Sequence, residues 1–465
     1  MFIAGRLVNA RSRMRITSPY DGHVVGDVSR DGPAQVTEAV TRVAACPDRL
    51  DPQQRAAVLR ATARLVTERA ERFARLITSE SGVCVRETRK EVSRACLNLT
   101  LAAEEAARIR GETHDLVTSG NRRLAITLHE PVGVVAAITP FNRPLNQVVV
   151  KVAPAIAAGN RVVVKPSEKT PLTALEFAAV LIEAGLPPAM LAVLTGPPAE
   201  VGAALAADSM VDAVTFTGSC ETGRAVAALA AGKKVLLELG GNDPLIVLAD
   251  ADLEIAVRLA ADGAFATAGQ SCRGVKRILA AAEIADELAA RLTSVTKELS
   301  AGDPADPQTD LGPLINEAAA VEVERRCAAA VRSGAQMLIG GERTGALLTP
   351  AVLDHVPADA DLVVRETFGP VAPIIRIRDT AEAVAVANST PYGLQAGVVT
   401  DSAADFLRLA RDLRVGAVNA MAGPNFDSPY IPFGGVKASG VGREGIRYSI
   451  REMSTVKTVT LPWDA

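Results

Sequence analysis

Aromatic residues are scarce in this chain of 465, at 3%, too few to build the stacking platforms that single-stranded nucleic acids require. Charge of one sign is also lacking. Fifty Lys and Arg stand against 53 Asp and Glu, a net charge of −3, which offers neither nucleic acid nor an anionic membrane a surface to bind. No uncharged apolar run reaches the ~18 residues of a spanning helix, because Lys151, Lys165 and Glu183 interrupt the best candidates. The first residues mix Arg6, Arg11, Arg13 and Arg15 into apolar ones, unlike the unbroken core of a secretory signal. Six cysteines (Cys46, Cys84, Cys96, Cys220, Cys272, Cys327) and four dispersed histidines show no pairing or metal-ligand spacing. Neither a disulfide framework nor a metal site is expected, and a reducing cytoplasm is the expected compartment.

What is present is apolar bulk in short alternating runs. A 48% hydrophobic fraction with 22% charged residues reads as an ordinary globular protein of roughly two or three domains. Residues 3–28 alternate short β-like runs with turns. Residues 33–110 read as helical, with Val58, Leu59, Leu65, Val66, Phe73 and Leu76 at three- and four-residue spacing. Residues 122–130 alternate as a strand. From Pro131 onward, strands at 133–139, 161–165, 192–195, 213–217 and 234–238 alternate with helices at 145–158, 171–184 and 222–231. That order implies an α/β fold with a largely parallel sheet and ligands at the strands' carboxyl ends. A second α/β unit starts near Gly241, and no linker or repeat separates the two.

Five stretches carry chemistry. Cys272 sits in Phe265-Ala-Thr-Ala-Gly-Gln-Ser-Cys-Arg-Gly274, a turn that can expose a thiol to a carbonyl, followed by a strand-like 275–281. Glu238, 34 residues earlier in Leu237-Glu-Leu-Gly-Gly241, is a carboxylate able to act as base. Thr139-Pro-Phe-Asn142 ends a strand; the Asn142 amide suits either a developing oxyanion or turn chemistry. Lys165-Pro-Ser-Glu168 places an acid where ribose hydroxyls would need an acceptor, and equally reads as a solvated charged turn. Phe216-Thr-Gly-Ser-Cys-Glu-Thr-Gly223 opens a helix with Gly218 and Gly223 placed for phosphate approach, though it also reads as an ordinary strand–helix turn.

Together with Glu366-Thr-Phe-Gly-Pro370 and Pro432-Phe-Gly-Gly435, these motifs resemble the aldehyde dehydrogenase superfamily from about residue 17 to 461. The resemblance implies that fold: a Rossmann-like cofactor domain (1–119 and 131–240), a catalytic domain (241–440), and an oligomerisation bridge and tail (120–130 and 441–465). A homodimer or homotetramer follows. Cys272 matches the nucleophile, Glu238 the general base and Asn142 the oxyanion donor. The cofactor, NAD with NADP possible, would meet Thr139, Pro140, Phe141, Lys165, Ser167, Glu168, Gly202, Gly218, Ser219, Gly223, Leu239, Glu366 and Phe368. Glu444, in Gly442-Arg-Glu444, matches a carboxylate that some members use to relay protons. A base at the Glu238 position favours hydrolysis over transfer to coenzyme A, and the intact Cys272, Glu238 and Asn142 speak against a non-catalytic relative.

For the substrate, the chain looks most like the phosphonoacetaldehyde and lactaldehyde/glyceraldehyde-phosphate branch. Arg143 follows Asn142, Arg273 follows Cys272, and Arg94 lies on the helix that lines the family's substrate tunnel. Three arginines suit a small anionic aldehyde, with phosphonoformaldehyde or phosphonoacetaldehyde as the leading expectation. Lactaldehyde, glycolaldehyde or a semialdehyde is the alternative. One departure stands out: phosphonoacetaldehyde enzymes tend to carry Arg just before the nucleophile, where this chain has Ser271.

Overall fold

A computed structural model describes residues 2–3, 6–7, 12–118 and 121–463. The expected bridge start at Gly120, and parts of the expected β-runs near the N-terminus, lie outside them.

Apolar β-branched runs bounded by turns form a central eight-stranded sheet. Five consecutive strands of it are Leu191–Val193, Arg161–Lys165, Val134–Ile138, Ala213–Thr217 and Lys234–Glu238, in that spatial order and all parallel. Numbered along the chain the order is 3-2-1-4-5, so the connections reverse direction between Val134–Ile138 and Ala213–Thr217. Such a reversal opens a crevice at the carboxyl ends, where doubly wound folds bind dinucleotides. Buried helices cover the faces, among them Pro52–Glu68, Val85–Ala106 and Asn146–Ala158, with Leu59, Phe73, Leu99 and Ile156 fully enclosed. Pro52–Glu68 starts where the sequence permits: Asp51 accepts from the Gln54 amide, the Gln54 side chain returns the bond, and Pro52 fills the first turn.

The second sheet has seven strands, with Ala351–Asp354, Val371–Ile377, Arg277–Ala281, Pro244–Val247, Gln395–Val399 and Ala417–Ala420 parallel and Gln336–Ile339 antiparallel at the edge. A third sheet pairs Thr113–Thr118 with Asn121–Pro131, and Asn121–Pro131 with Ser454–Pro462. Among the described residues, no helix is long and apolar enough to cross a membrane.

Several boundaries differ from the sequence reading. Thr113–Thr118, placed there in the 1–119 segment, joins the three-stranded sheet instead. Gly440–Val441 and Ile446–Glu452, assigned there to the end of the catalytic segment and the tail, return to the first body: Gly440 pairs with Glu238, and Ile446 and Ile450 join its core. The strand expected at 192–195 ends at Val193, since the Thr195 amide leaves the ladder for Asp31 Oδ2 at 2.8 Å. The helix expected at 222–231 spans Cys220–Leu229 because Ser219 caps it. Arg277, two residues late, opens the strand expected from Val275, whose amide bonds Gly263 instead.

Candidate active site

The turn before Cys272 follows from its small residues. Thr267, Ala268 and Gly269 all adopt left-handed backbone, with φ of 53°, 52° and 69°. A methyl group on Gly269 would lie 1.9 Å from the Gly369 carbonyl oxygen, so only glycine fits. Lys276 Nζ fixes the turn by donating to the Gly269 carbonyl at 2.6 Å. Cys272 is half-buried and opens on a cavity of about 80 Å³ shared with Arg94, Asn98, Gln147, Arg273 and Glu444. Burial pushes its thiol up to about 12; Arg273 opposes the shift, and the carboxylates of Glu366, Asp243 and Glu238 add to it. Asn142, buried beyond the end of Val134–Ile138, donates from Nδ2 to the Gln270 carbonyl at 2.9 Å. The amide is thereby anchored to the Cys272 turn.

Glu238 ends its strand with a carboxyl group that is buried and makes no hydrogen bond among the described residues. Burial first, and then the Glu444 carboxylate, hold it well above the usual range, against the pull of Lys151. Gly434 (φ 146°) makes room for it, since a methyl group there would lie 2.7 Å from Glu238 Oε1. Glu444 is buried beside it and accepts from Lys151 Nζ at 2.5 Å, while the same Nζ donates to Thr215 Oγ1 at 3.1 Å.

The crevice at the carboxyl ends gathers most of the expected cofactor residues. Thr139 Oγ1 and Thr217 Oγ1 are buried without hydrogen-bond partners among the described residues, at the ends of the two strands flanking the reversal. Two such hydroxyls, with Ser219 capping the helix Cys220–Leu229, suit a polar anionic ligand. Lys165 is buried at its strand end with Nζ 3.7 Å from Glu168 Oε2, and Ser167 Oγ accepts from the Lys169 amide at 3.2 Å. Gly202 is buried at the start of the short helix Ala203–Ala207. Packing also shapes the glycine motif. A methyl group on Gly223 would meet Leu239 at 2.3 Å and one on Gly218 would meet the Phe216 ring at 2.5 Å, so both glycines serve packing. From the second body come Glu366 and Phe368. Glu366 presses on Gly240, where a methyl group would lie 2.1 Å from Oε2, and burial raises its carboxyl to about 7. The Phe368 ring meets Phe141 edge-on at 5.9 Å, next to Pro140, with Lys276 Nζ 5.1 Å from its centre. These residues fit a dinucleotide.

The arginines do not form the open anion site expected from sequence. Arg94 donates to Asp427 Oδ2, and Arg273 forms an ion pair with the same oxygen at 2.7 Å. Arg273 also donates to the Asn425 carbonyl at 3.2 Å. Arg143 lies on a separate cavity, of about 440 Å³, on the other side of Arg273, near Ser271 and Asn425. It faces the buried Glu91 carboxyl, whose Oε1 accepts from the Leu145 and Asn146 amides.

The Aldehyde dehydrogenase family profile matches residues 7–459. The chain belongs to that family. It is 39% identical over 464 residues to the 3-sulfolactaldehyde dehydrogenase of Priestia megaterium, covering 99% of this chain and 97% of the relative. It is 37% identical over 468 residues to the lactaldehyde dehydrogenase of Methanococcus maripaludis, covering 99% of each. The NADP complex of a glyceraldehyde-3-phosphate dehydrogenase from Methanocaldococcus jannaschii superposes with a TM-score of 0.94 at 37% identity, covering 97% of this chain and 100% of that one. This aldehyde dehydrogenase is therefore an oxidoreductase acting on aldehydes.

Sequence reasoning passed over two of its site residues. Lys151 figured only as a charge interrupting an apolar run; a lysine inside the otherwise apolar helix Asn146–Ala158 is the signal that could have marked it. Asp427 lies in a loop that joins Arg94 and Arg273 only in the folded dehydrogenase, and no local pattern announces it.

Proposed function

We propose that the chain oxidises a short, uncharged 2-hydroxyaldehyde of the lactaldehyde kind to its acid, with NAD or NADP as acceptor. One observation carries the reading: Cys272 opens on a cavity of only about 80 Å³ whose arginine pair is closed on Asp427. Pockets for drug-sized ligands run to roughly 300–1,000 Å³, so the substrate is short. A phosphonoaldehyde loses ground, since the guanidinium groups it would need already hold a carboxylate. The relative named for lactaldehyde points the same way, whereas those named for sulfonated aldehydes favour the second reading below.

Cys272 adds to the aldehyde carbon, and its thiol proton leaves for water or a neighbouring carboxylate. Asn142 and the Cys272 amide face the resulting oxyanion; removing such a donor costs about 3–4 kcal/mol. The bound nicotinamide supplies the hydride acceptor. The acyl group stays on Cys272 as a thioester until Glu238, once deprotonated, takes a proton from the attacking water. Glu444 and Lys151 stand behind Glu238 to carry that proton away. In this reading the first sheet holds the cofactor and the second holds the reacting thiol. Glu168 disfavours a 2′-phosphate, which makes NAD the preferred form. Six free thiols suit a reducing cytoplasm, and the three-stranded sheet would join two copies into a homodimer, or further into a homotetramer.

A second reading, oxidation of a sulfonated three-carbon aldehyde, is favoured by Arg143. It lines the neighbouring cavity with no side-chain hydrogen bond or ion pair among the described residues. Initial rates with lactaldehyde, sulfoacetaldehyde, phosphonoacetaldehyde and propanal, each with NAD and NADP, decide between the readings. Lactaldehyde with NAD is expected to give the highest kcat/KM. A higher value for a charged aldehyde would overturn the reading, and a higher value with NADP its cofactor preference.

A further inference from the structure

The cavity at Cys272 is lined by two guanidinium groups, Arg94 and Arg273, and two carboxylates, Asp427 and Glu444; Glu444 is held by Lys151, so Asp427 decides what the guanidinium charge does. Arg94 projects from the helix Val85–Ala106, and Arg273 follows Cys272. Asp427 arrives on the loop between Ala417–Ala420 and the Phe433 segment. The three side chains retain 30%, 27% and 20% of their exposure, so the cluster is shielded yet reachable. Arg94 donates to Oδ2 and Arg273 makes its closest approach to the same oxygen; Oδ1 makes no hydrogen bond among the described residues, and Asp427 lines the cavity. Arg273 is held further by the Asn425 carbonyl and lies 5.9 Å from the centre of the Phe433 ring. It cannot turn to an incoming anion without losing those contacts.

We propose that Asp427 is the residue that selects the substrate's charge. Its Oδ2 occupies the sites where Arg94 and Arg273 would grip a sulfonate, phosphonate or carboxylate. Its Oδ1 offers an acceptor to a hydroxyl next to the aldehyde carbon. An anionic aldehyde would have to displace a carboxylate already bonded to two cations and sit beside it, a like-charge contact that disfavours binding. A neutral hydroxyaldehyde keeps the pair intact and gains a charge-assisted hydrogen bond. The inference rests on the reading of the site as that of an aldehyde dehydrogenase with a small polar substrate.

The test is the ratio of kcat/KM for lactaldehyde to that for sulfoacetaldehyde, measured with the full-length enzyme and its Asp427→Asn and Asp427→Ala variants. Propanal, with neither hydroxyl nor charge, serves to report any general loss, and melting curves check the fold. Relative to propanal, each variant is expected to lose about tenfold on lactaldehyde and gain about tenfold on sulfoacetaldehyde, the size expected for one charge-assisted contact. The change is expected mainly in KM, because the contact exists before the reaction. Sulfoacetate, the product anion, is expected to inhibit both variants more strongly than the parent enzyme. An unchanged ratio, or a fall on sulfoacetaldehyde equal to that on lactaldehyde, would make Asp427 a structural tie and overturn the proposal. If the parent enzyme itself prefers sulfoacetaldehyde, the substrate reading falls, whereas the role of Asp427 is still decided by the shift between parent and variant.

Discussion

A thiol raised to about 12 is roughly one part in ten thousand thiolate at pH 8, so the isolated protein holds Cys272 in its unreactive form. Because the shift is upward, the thiolate fraction rises with pH through the whole accessible range. Alkylation of Cys272 by iodoacetamide in the cofactor-free enzyme, followed peptide by peptide, is expected to speed up about tenfold per pH unit from 7 to 10. A profile that bends near pH 8.5 and levels off above it would show an ordinary thiol. The residues of the reacting pair are legible in sequence because each belongs to a contiguous motif. Glycines around Cys272 and Glu238 are forced by contacts such as Gly269 against Gly369. Lys151 and Asp427 are not legible in that way. Their partners, Glu444 for the first and Arg94 and Arg273 for the second, lie far along the chain. Three arginines in sequence therefore look like a free anion site until the carboxylate that ties two of them together is in place.

At the scale of elements, the strand Lys234–Glu238 and the loop through Gly434 meet so closely that the carboxylate fits only against a bare α-carbon. Gly434→Ala places a methyl group 2.7 Å from Glu238 Oε1 on backbone with φ of 146°, so either the loop or the base must move. A displacement near 1 Å costs on the order of 100-fold in rate. Steady-state turnover is expected to fall by about that factor while cofactor binding, measured by fluorescence titration, stays near normal. Full turnover would show that the glycine serves only the fold. The β-α alternation made the parallel sheet legible, and the helix starts at Asp51 and Ser219 follow from local capping chemistry. What local pattern does not reveal is where a strand goes. Thr113–Thr118 and Gly440–Val441 are placed by partners remote in sequence.

At the scale of the molecule, the three-stranded sheet carries apolar side chains that the chain itself leaves open, including Val117, 74% exposed, and Val456, 61% exposed. Sedimentation is expected to give two or four times the 48.4 kDa chain mass, and a monomer at micromolar concentration would contradict that assembly. The two large sheets also depend on each other. Glu238 ends a strand of the first, while Cys272 precedes a strand of the second, and Gly241 lies so close to the Cys272 carbonyl that a methyl group there would come within 2.3 Å. Cys272 and Glu238 are expected to act in succession on one covalent intermediate. Mass spectrometry of the Glu238→Gln variant, quenched during turnover with lactaldehyde and NAD, tests this most directly. A burst of NADH is expected, with an acyl group on the Cys272 peptide that outlasts the burst. An unmodified Cys272 peptide with no burst, or an acyl group on another cysteine, would contradict it.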